Sequence, residues 1–335
     1  MKNKNVWVAV GVVIIAVAGF LVFQNQKKSE ESTPKKLDDV TIGYSALRIS
    51  LPILVAQDKG YFAEQGLNVK LERFDTAQPL MQSLIAGSIQ IGGYTALPIT
   101  YTAMLRGKTD LYFVTSMLED QNHRISSLII PKDSPSTFNY SDLKGKKIGI
   151  LPTVAYKVWL EELLKNKGVD LKSVEITQLD PAMQANALQS GQVNALFTND
   201  PVATTVIQKG VGKLLSNEVE IPKIFGEPFI FGSLNIRKDF ADANPIIAKK
   251  VIVALDKAVE YINSNPAEAN QVLKNYLSEA QKPFVDFYPN ALYQKSTEAD
   301  PKIFQQIADK STQLGIIDGA LNVENLVISS ESLSK

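Results

Sequence analysis

Arg48, Arg124, Asn199 and Asp200 offer the most chemistry in this 335-residue chain, together with the hydroxyls, phenols and amide of Tyr44, Ser45, Gln78, Tyr94, Thr95, Thr153 and Tyr156. None of them is a nucleophile with a base beside it. There is no cysteine and one histidine, His123, which removes disulfides, thiolate zinc sites, iron–sulfur clusters and Cys nucleophiles. A Ser-His-Asp hydrolase would hang on His123 alone, so no catalytic residue and no metal ligand is assigned. No Gly-x-Gly-x-x-Gly or phosphate-loop Lys motif occurs, so no cofactor is expected. What the set can do is hold a small polar molecule. A guanidinium, Arg48 or Arg124, suits a sulfonate or carboxylate. Asp200 disfavours a purely anionic ligand unless a cation offsets it, and suits an amine or heterocyclic N–H. Tyr44, Tyr94, Tyr156, Phe229 and Phe231 are large enough to wall a cleft. Each residue also has a plain structural reading: Ser, Thr, Asn and Asp cap helices, aromatics fill cores, and the five arginines sit in water. His123, next to Arg124, reads as a cleft contact or as a surface or hinge residue.

The candidates share a position. Strand-like runs at 40–44, 69–74, 89–94, 111–117, 127–131, 147–151, 174–179, 195–199, 213–215 and 229–237 alternate with helix-period stretches at 51–59, 79–86, 97–106, 154–166, 181–189 and 202–209. This rhythm predicts an α/β fold whose parallel-rich sheets carry helices on both faces. The candidates lie at the carboxyl ends of those strands, where the following helix N-termini present free N–H groups. Leu84-Ile85-Ala86-Gly87-Ser88-Ile89-Gln90-Ile91 matches Leu188-Gln189-Ser190-Gly191-Gln192-Val193-Asn194-Ala195 in residue type at most positions. Either two similar lobes share this helix–Gly–strand joint, or it is the ordinary joint of any α/β protein. From about residue 248 the pattern turns helical without intervening strands, predicting a C-terminal helical cap.

Residues 6–23 (VWVAVGVVIIAVAGFLVF) form an uncharged run behind Lys2 and Lys4, roughly 27 Å long as a helix and enough to cross a hydrocarbon core. Residues 1–23 are therefore expected to be a transmembrane anchor or a signal segment cleaved near Ala16-Val17-Ala18, with the remainder exported in either case. Residues 24–39 read as a flexible tether. Residues 1–36 hold six lysines and two glutamates; removing them from totals of 35 basic and 35 acidic residues leaves 29 and 33, a net of −4. That balance gives no support to nucleic-acid binding.

A family resemblance enters with particular residues. Gly60-Tyr61-Phe62-Ala63-Glu64-Gln65-Gly66-Leu67-Asn68-Val69, following Ile42-Gly43-Tyr44, resembles the opening of substrate-binding proteins of nitrate/sulfonate/taurine-type ABC importers. Leu143-Lys144-Gly145-Lys146-Lys147-Ile148-Gly149 is similar to their entry to the second lobe, and Leu188 to Ala195 with Asp200-Pro201 to a later motif. Gln90 and Asn194 depart from the family's acidic residue at that position. The resemblance implies a type II periplasmic-binding-protein fold: lobe 1 from 40–128 plus 232–335, lobe 2 from 129–231, and a two-stranded hinge near 127–131 and 229–236. It implies a monomeric extracytoplasmic receptor, tethered to the cytoplasmic membrane or secreted. The receptor would close on a small organic solute of sulfonate, nitrate, taurine-like or pyrimidine-precursor class and pass it to ABC permease and ATPase subunits. The alternatives are the sensing ectodomain of a signalling system and an enzyme resembling the thiamine-pyrimidine synthases.

Overall fold

The computed structural model describes residues 37–334; the expected membrane or signal segment and nearly all of the expected tether lie outside them. Among the described residues no helix is long and apolar enough to cross a membrane. The tether expectation ran slightly too far, because Asp38 and Asp39 already pair with Leu67 and Asn68 as the first rungs of a parallel ladder.

Two sheets organise the chain. Strands β1 (Asp38–Ser45), β2 (Leu67–Phe74), β3 (Ile91–Ala96) and β4 (Leu111–Glu119) begin the first. The second holds β5 (Ser126–Pro131), β6 (Lys147–Ile150), β7 (Glu175–Gln178), β8 (Ala195–Asn199) and β9 (Gly212–Leu214); β10 (Phe229–Arg237) and β11 (Leu292–Gln294) return to the first. The orders are β11-β4-β10-β3-β1-β2 and β7-β6-β8-β5-β9. Setting β11 aside, the two are one pattern: β1 and β6 each lie between two parallel partners, and β3 and β8 each meet an antiparallel one.

The repeated joint has the same role in both lobes. Helix α3 (Ala77–Ile85) ends before Gly87 at φ 78°, and α6 (Pro181–Gln189) before Gly191 at φ 75°. That left-handed backbone costs least without a Cβ. The departures Gln90 and Asn194 also act alike: Gln90 Oε1 accepts from Thr41 N at 2.9 Å and Asn194 Oδ1 from Lys147 N at 3.0 Å. An amide oxygen accepts a strand N–H as a carboxylate would, so the substitution keeps the joint and drops the charge.

The change of sheet falls earlier than the sequence pattern placed it. β5 lies wholly in the second sheet, with Ser126 opposite Asn199, so the first crossing is the loop 120–125. The return runs from β9 through α8 (Glu220–Phe225) to Phe229, which pairs with Glu119. The apolar runs taken for crossings are buried strands, which must be as apolar as any hinge strand. Between these crossings stand α5 (Val154–Asn166) and α7 (Val202–Gln208) on lobe 2, while α1 (Leu51–Asp58), α2 (Tyr61–Glu64) and α4 (Leu97–Gly107) join α3 on lobe 1.

Trp159 of α5 ties the lobes together. It is 1% exposed, and its indole meets Tyr156 at 5.2 Å and Phe229 and Phe231 at 5.5 and 6.1 Å. The last two belong to lobe 1's β10, so one ring cluster packs a lobe-2 helix on a lobe-1 strand. Trp159→Ala is expected to cost about 3–5 kcal/mol in urea unfolding, the usual range for deleting a core aromatic.

The C-terminal cap is mostly helical, with α9 (Lys238–Ala243), α10 (Pro245–Ser264), α11 (Pro266–Lys274) and α12 (Pro301–Gln313), but it is not strand-free. β11 pairs with β4, and after a single 3-10 turn (Glu324–Leu326) Val327 bridges Phe113 while Ile328 N donates to Phe113 O at 2.9 Å. Both pieces cover what would be an open sheet edge.

Candidate ligand site between the lobes

Arg48 follows β1 in a single 3-10 turn (Arg48–Ser50) that leads into α1. That turn aims the guanidinium across the lobes. One Nη donates to Pro289 O; the other donates to Arg124 O at 3.1 Å and lies 3.3 Å from Asp200 Oδ2. Asp200 Oδ1 accepts from Thr204 N at 3.1 Å and Thr204 Oγ1 at 2.6 Å. Side-chain exposures are 4% for Arg48 and 5% for Asp200. The ion pair thus joins the end of β1 to the end of β8 with almost no water, and both carboxylate oxygens are engaged. Around it Arg48 Nε and the hydroxyls of Tyr156 and Tyr288 are buried without a hydrogen-bond partner among the described residues. Burial, with Asp200's charge, pushes the Tyr288 phenol up to about 12 despite the opposing pull of Arg48.

Glu119 closes the hinge loop. At the last position of β4 it is fully buried, and its Oε1 accepts from Ile125 N at 2.8 Å and Ser126 N at 2.5 Å; Ser126 Oγ donates to Oε2 at 3.2 Å. Burial raises its pKa to about 7; the three hydrogen bonds and the nearby Arg124 charge offset only part of that. His123 stays within the same loop, its Nδ1 at 2.8 Å from Asp120 Oδ1.

A cavity of about 610 Å³ draws its walls from both lobes. Lobe 1 supplies one face of α3, with Gln78, Met81, Gln82 and Ile85, and one face of α4, with Pro98, Ile99, Thr102, Ala103 and Arg106. Lobe 2 supplies the turn from Pro152 to Ala155, and the C-terminal segment supplies Gly315, Ile316 and Asp318. Thr153 Oγ1 caps α5 by accepting from Tyr156 N at 3.2 Å; α3 and α4 have no side-chain cap, so their first-turn N–H groups are left for solvent or ligand. Thr153→Ala is expected to cost about 1 kcal/mol of stability in thermal unfolding, the usual loss for a helix cap.

Of the residues named from sequence, Gln78 and Thr153 line this cavity, and Arg48 with Asp200 forms the buried bridge between β1 and β8. Arg124 contributes its carbonyl to Arg48 and donates from Nη2 to Asn217 O at 2.6 Å. Asn199 pairs with Ser126 in the β5–β8 ladder. The others are buried here, each against the partners that follow. Tyr44 is 8% exposed and packs its ring on Tyr276. Ser45 is the buried last residue of β1, whose carbonyl takes the Leu47 N–H. Tyr94 bonds Thr115 Oγ1, and Thr95 bonds Thr100 Oγ1 and Asn235 Nδ2. Tyr156 packs on Trp159 and Phe197. The reason is that β1 and β3 run one or two residues beyond the hydrophobic stretches that announced them. Sequence reasoning missed Glu119, Tyr288 and the cavity faces of α3 and α4. Residues 78, 81, 82 and 85, like 99, 102, 103 and 106, have the spacing of one helix face, but such a stripe normally packs into a core.

The model of the family described as NMT1/THI5 like matches residues 49–269, more than half of the chain. The chain belongs to the NMT1/THI5-like family. Within it, the chain is 27% identical over 257 residues to the taurine-binding periplasmic protein of Escherichia coli K12, covering 76% of this chain and 72% of that one. It is also 26% identical over 248 residues to a 4-amino-5-hydroxymethyl-2-methylpyrimidine phosphate synthase of Saccharomyces cerevisiae, covering 71% and 67%. Among solved structures, the periplasmic aliphatic sulphonate binding protein of Escherichia coli superposes with a TM-score of 0.70 at 18% identity, over 89% of this chain and 99% of that one. The last likeness shows the fold: two α/β lobes of the periplasmic-binding-protein kind.

Proposed function

We propose that the protein is an extracytoplasmic solute receptor that binds a small anionic organic molecule between its lobes and presents the closed form to the permease and ATPase subunits of an ABC importer. The observation that carries this reading is the buried Arg48–Asp200 pair, which joins the ends of β1 and β8 and can form only when the lobes are together; a cavity elsewhere along the lobes also draws its walls from both. A ligand touching both lobes gains in the closed state the contacts to the second lobe that the open state lacks, and that difference drives closure. Family membership and the names of the relatives, taurine-binding and sulphonate-binding, support the same role and the sulfonate class. The receptor acts as a monomer, held at the membrane by, or released from, the segment before residue 37.

The reading includes no chemical step. His123 is engaged with Asp120 in the hinge loop and is not among the cavity residues. The yeast synthase relative makes the enzyme reading worth a direct test. Native mass spectrometry of the purified protein, followed by calorimetric titration with sulfonates, taurine, nitrate and pyrimidine precursors, should give one-to-one binding with the ligand recovered intact. His123→Ala should leave that affinity unchanged. Absence of any bound or binding molecule, or turnover that His123→Ala abolishes, would overturn the proposal.

A further inference from the structure

Besides the bridge and the two crossings, the lobes are joined by a stretch of the C-terminal segment. We infer that residues 281–289 form a strap by which lobe 1 grips lobe 2, and that its hold on α7 sets how long the lobes stay together. This deepens the receptor reading above and rests on it for what closure is used for.

The sequence stiffens the strap and pins it to lobe 1. Gln281-Lys282-Pro283-Phe284-Val285-Asp286-Phe287-Tyr288-Pro289 carries a proline near each end, and each ring fixes its own φ at about −65°. Residues Lys282–Phe287 form a 3-10 turn between α11, which packs on α1, and β11, which pairs with β4. Asp286 Oδ1 accepts from Gln271 Nε2 at 2.8 Å and Oδ2 from Lys274 Nζ at 2.9 Å, both donors on α11. Val285 beside it is fully buried. The strap therefore moves with lobe 1.

Its other side meets lobe 2. The 3-10 turn packs on α7, and Lys209, the residue that ends that helix, holds its ammonium 6.0 Å from the centre of the Phe284 ring. Tyr288 follows the turn, buried and near enough to the bridge for the charges of Asp200 and Arg48 to act on its phenol in opposite directions. Pro289 O then accepts from Arg48. Swinging lobe 2 away pulls α7 from Phe284 and Asp200 from the neighbourhood of Tyr288, while the contacts with α11 stay made. All of these contacts are between groups of the chain itself, so the closed form is accessible before a ligand arrives.

Pulsed dipolar spectroscopy of the full chain without ligand tests this, with spin labels on Lys70→Cys of lobe 1 and Met183→Cys of lobe 2, both exposed. The parent is expected to show short and long separations together. Phe284→Ala should lower the ratio of short to long at least threefold. Lys209→Ala, at an exposed position on lobe 2 outside the strap's own fold, should lower it about twofold with the melting temperature unchanged. Since each removes the same contact, the double variant should be no more open than Phe284→Ala alone. With a ligand that binds the parent, release should quicken by the same factors while the association rate holds. Unchanged ratios in both single variants, additive effects in the double variant, or a parent that never shows the short separation would each overturn the inference and leave the receptor reading to its own titrations. The expected shifts in a protein that binds no solute would keep the strap and remove the receptor reading.

Discussion

Arg48→Ala is expected to weaken ligand binding by about 100-fold or more and to leave the lobes apart, because removing one partner of a buried ion pair costs about 3–5 kcal/mol. With the guanidinium gone, closure would bury Asp200 with only Thr204 to answer its charge. The protein avoids that cost by staying open, where water solvates the carboxylate, so the loss appears in affinity and not in global stability. The same step removes the link to Pro289 O and Arg124 O, which ties the end of β1 to the C-terminal segment and the first crossing. A double-mutant cycle isolates the pair itself. Arg48→Ala combined with Asp200→Ala leaves no unpaired charge and should recover a substantial part of the loss. Titration of the four proteins with any ligand that binds the parent checks this; equal and additive losses would show that the pair contributes nothing to closure.

Glu119→Gln is expected to remove a pH dependence of stability on the order of 3 kcal/mol, because burial lifts the carboxyl from its ordinary 4.5 to about 7. The folded pKa of about 7 lies above the ordinary glutamate value of 4.5 because burial penalises the charge. Between those two values the folded state holds a proton that the unfolded state has lost. Stability therefore falls as pH rises from about 4.5 to 7, is fully present below that window and flat above it. Glutamine keeps the acceptor for Ile125 N and Ser126 N and never ionises, so the variant should match the parent near pH 4.5 and exceed it at pH 8. Glu119→Leu, which strands both amides, should be destabilised at every pH. Urea unfolding of parent and variants across pH 4 to 8 reads the difference directly; parallel curves for parent and Gln would contradict it.

Much of the architecture was legible because it repeats. The helix–Gly–strand joint at Leu84 to Ile91 and again at Leu188 to Ala195 announces two lobes of one plan, and the strand orders agree. The hinge was misplaced because β5 and the start of β10 are central strands, and a central strand and a crossing segment are equally apolar. β11 is three residues long, too short to leave a period. In the site, Arg48 and Asp200 stood out singly as charges near strand ends, but their partnership spans 152 positions and depends on how the lobes meet. Tyr94 and Thr95 sit near the end of a strand that continues through Ala96, and their hydroxyls meet Thr115, Thr100 and Asn235. The cavity faces of α3 and α4 were invisible, since nothing in an apolar helical stripe says whether a neighbour covers it.

The most direct test of closure uses the chain's lack of cysteine. Cysteines introduced at exposed Lys70 on lobe 1 and Met183 on lobe 2 can carry a pair of spin labels whose separation is read by pulsed dipolar spectroscopy. The expected result is a broad or two-peaked distance distribution without ligand that collapses to a single shorter distance at saturation, and that stays long in Arg48→Ala. A distribution unmoved by a saturating ligand would contradict the account.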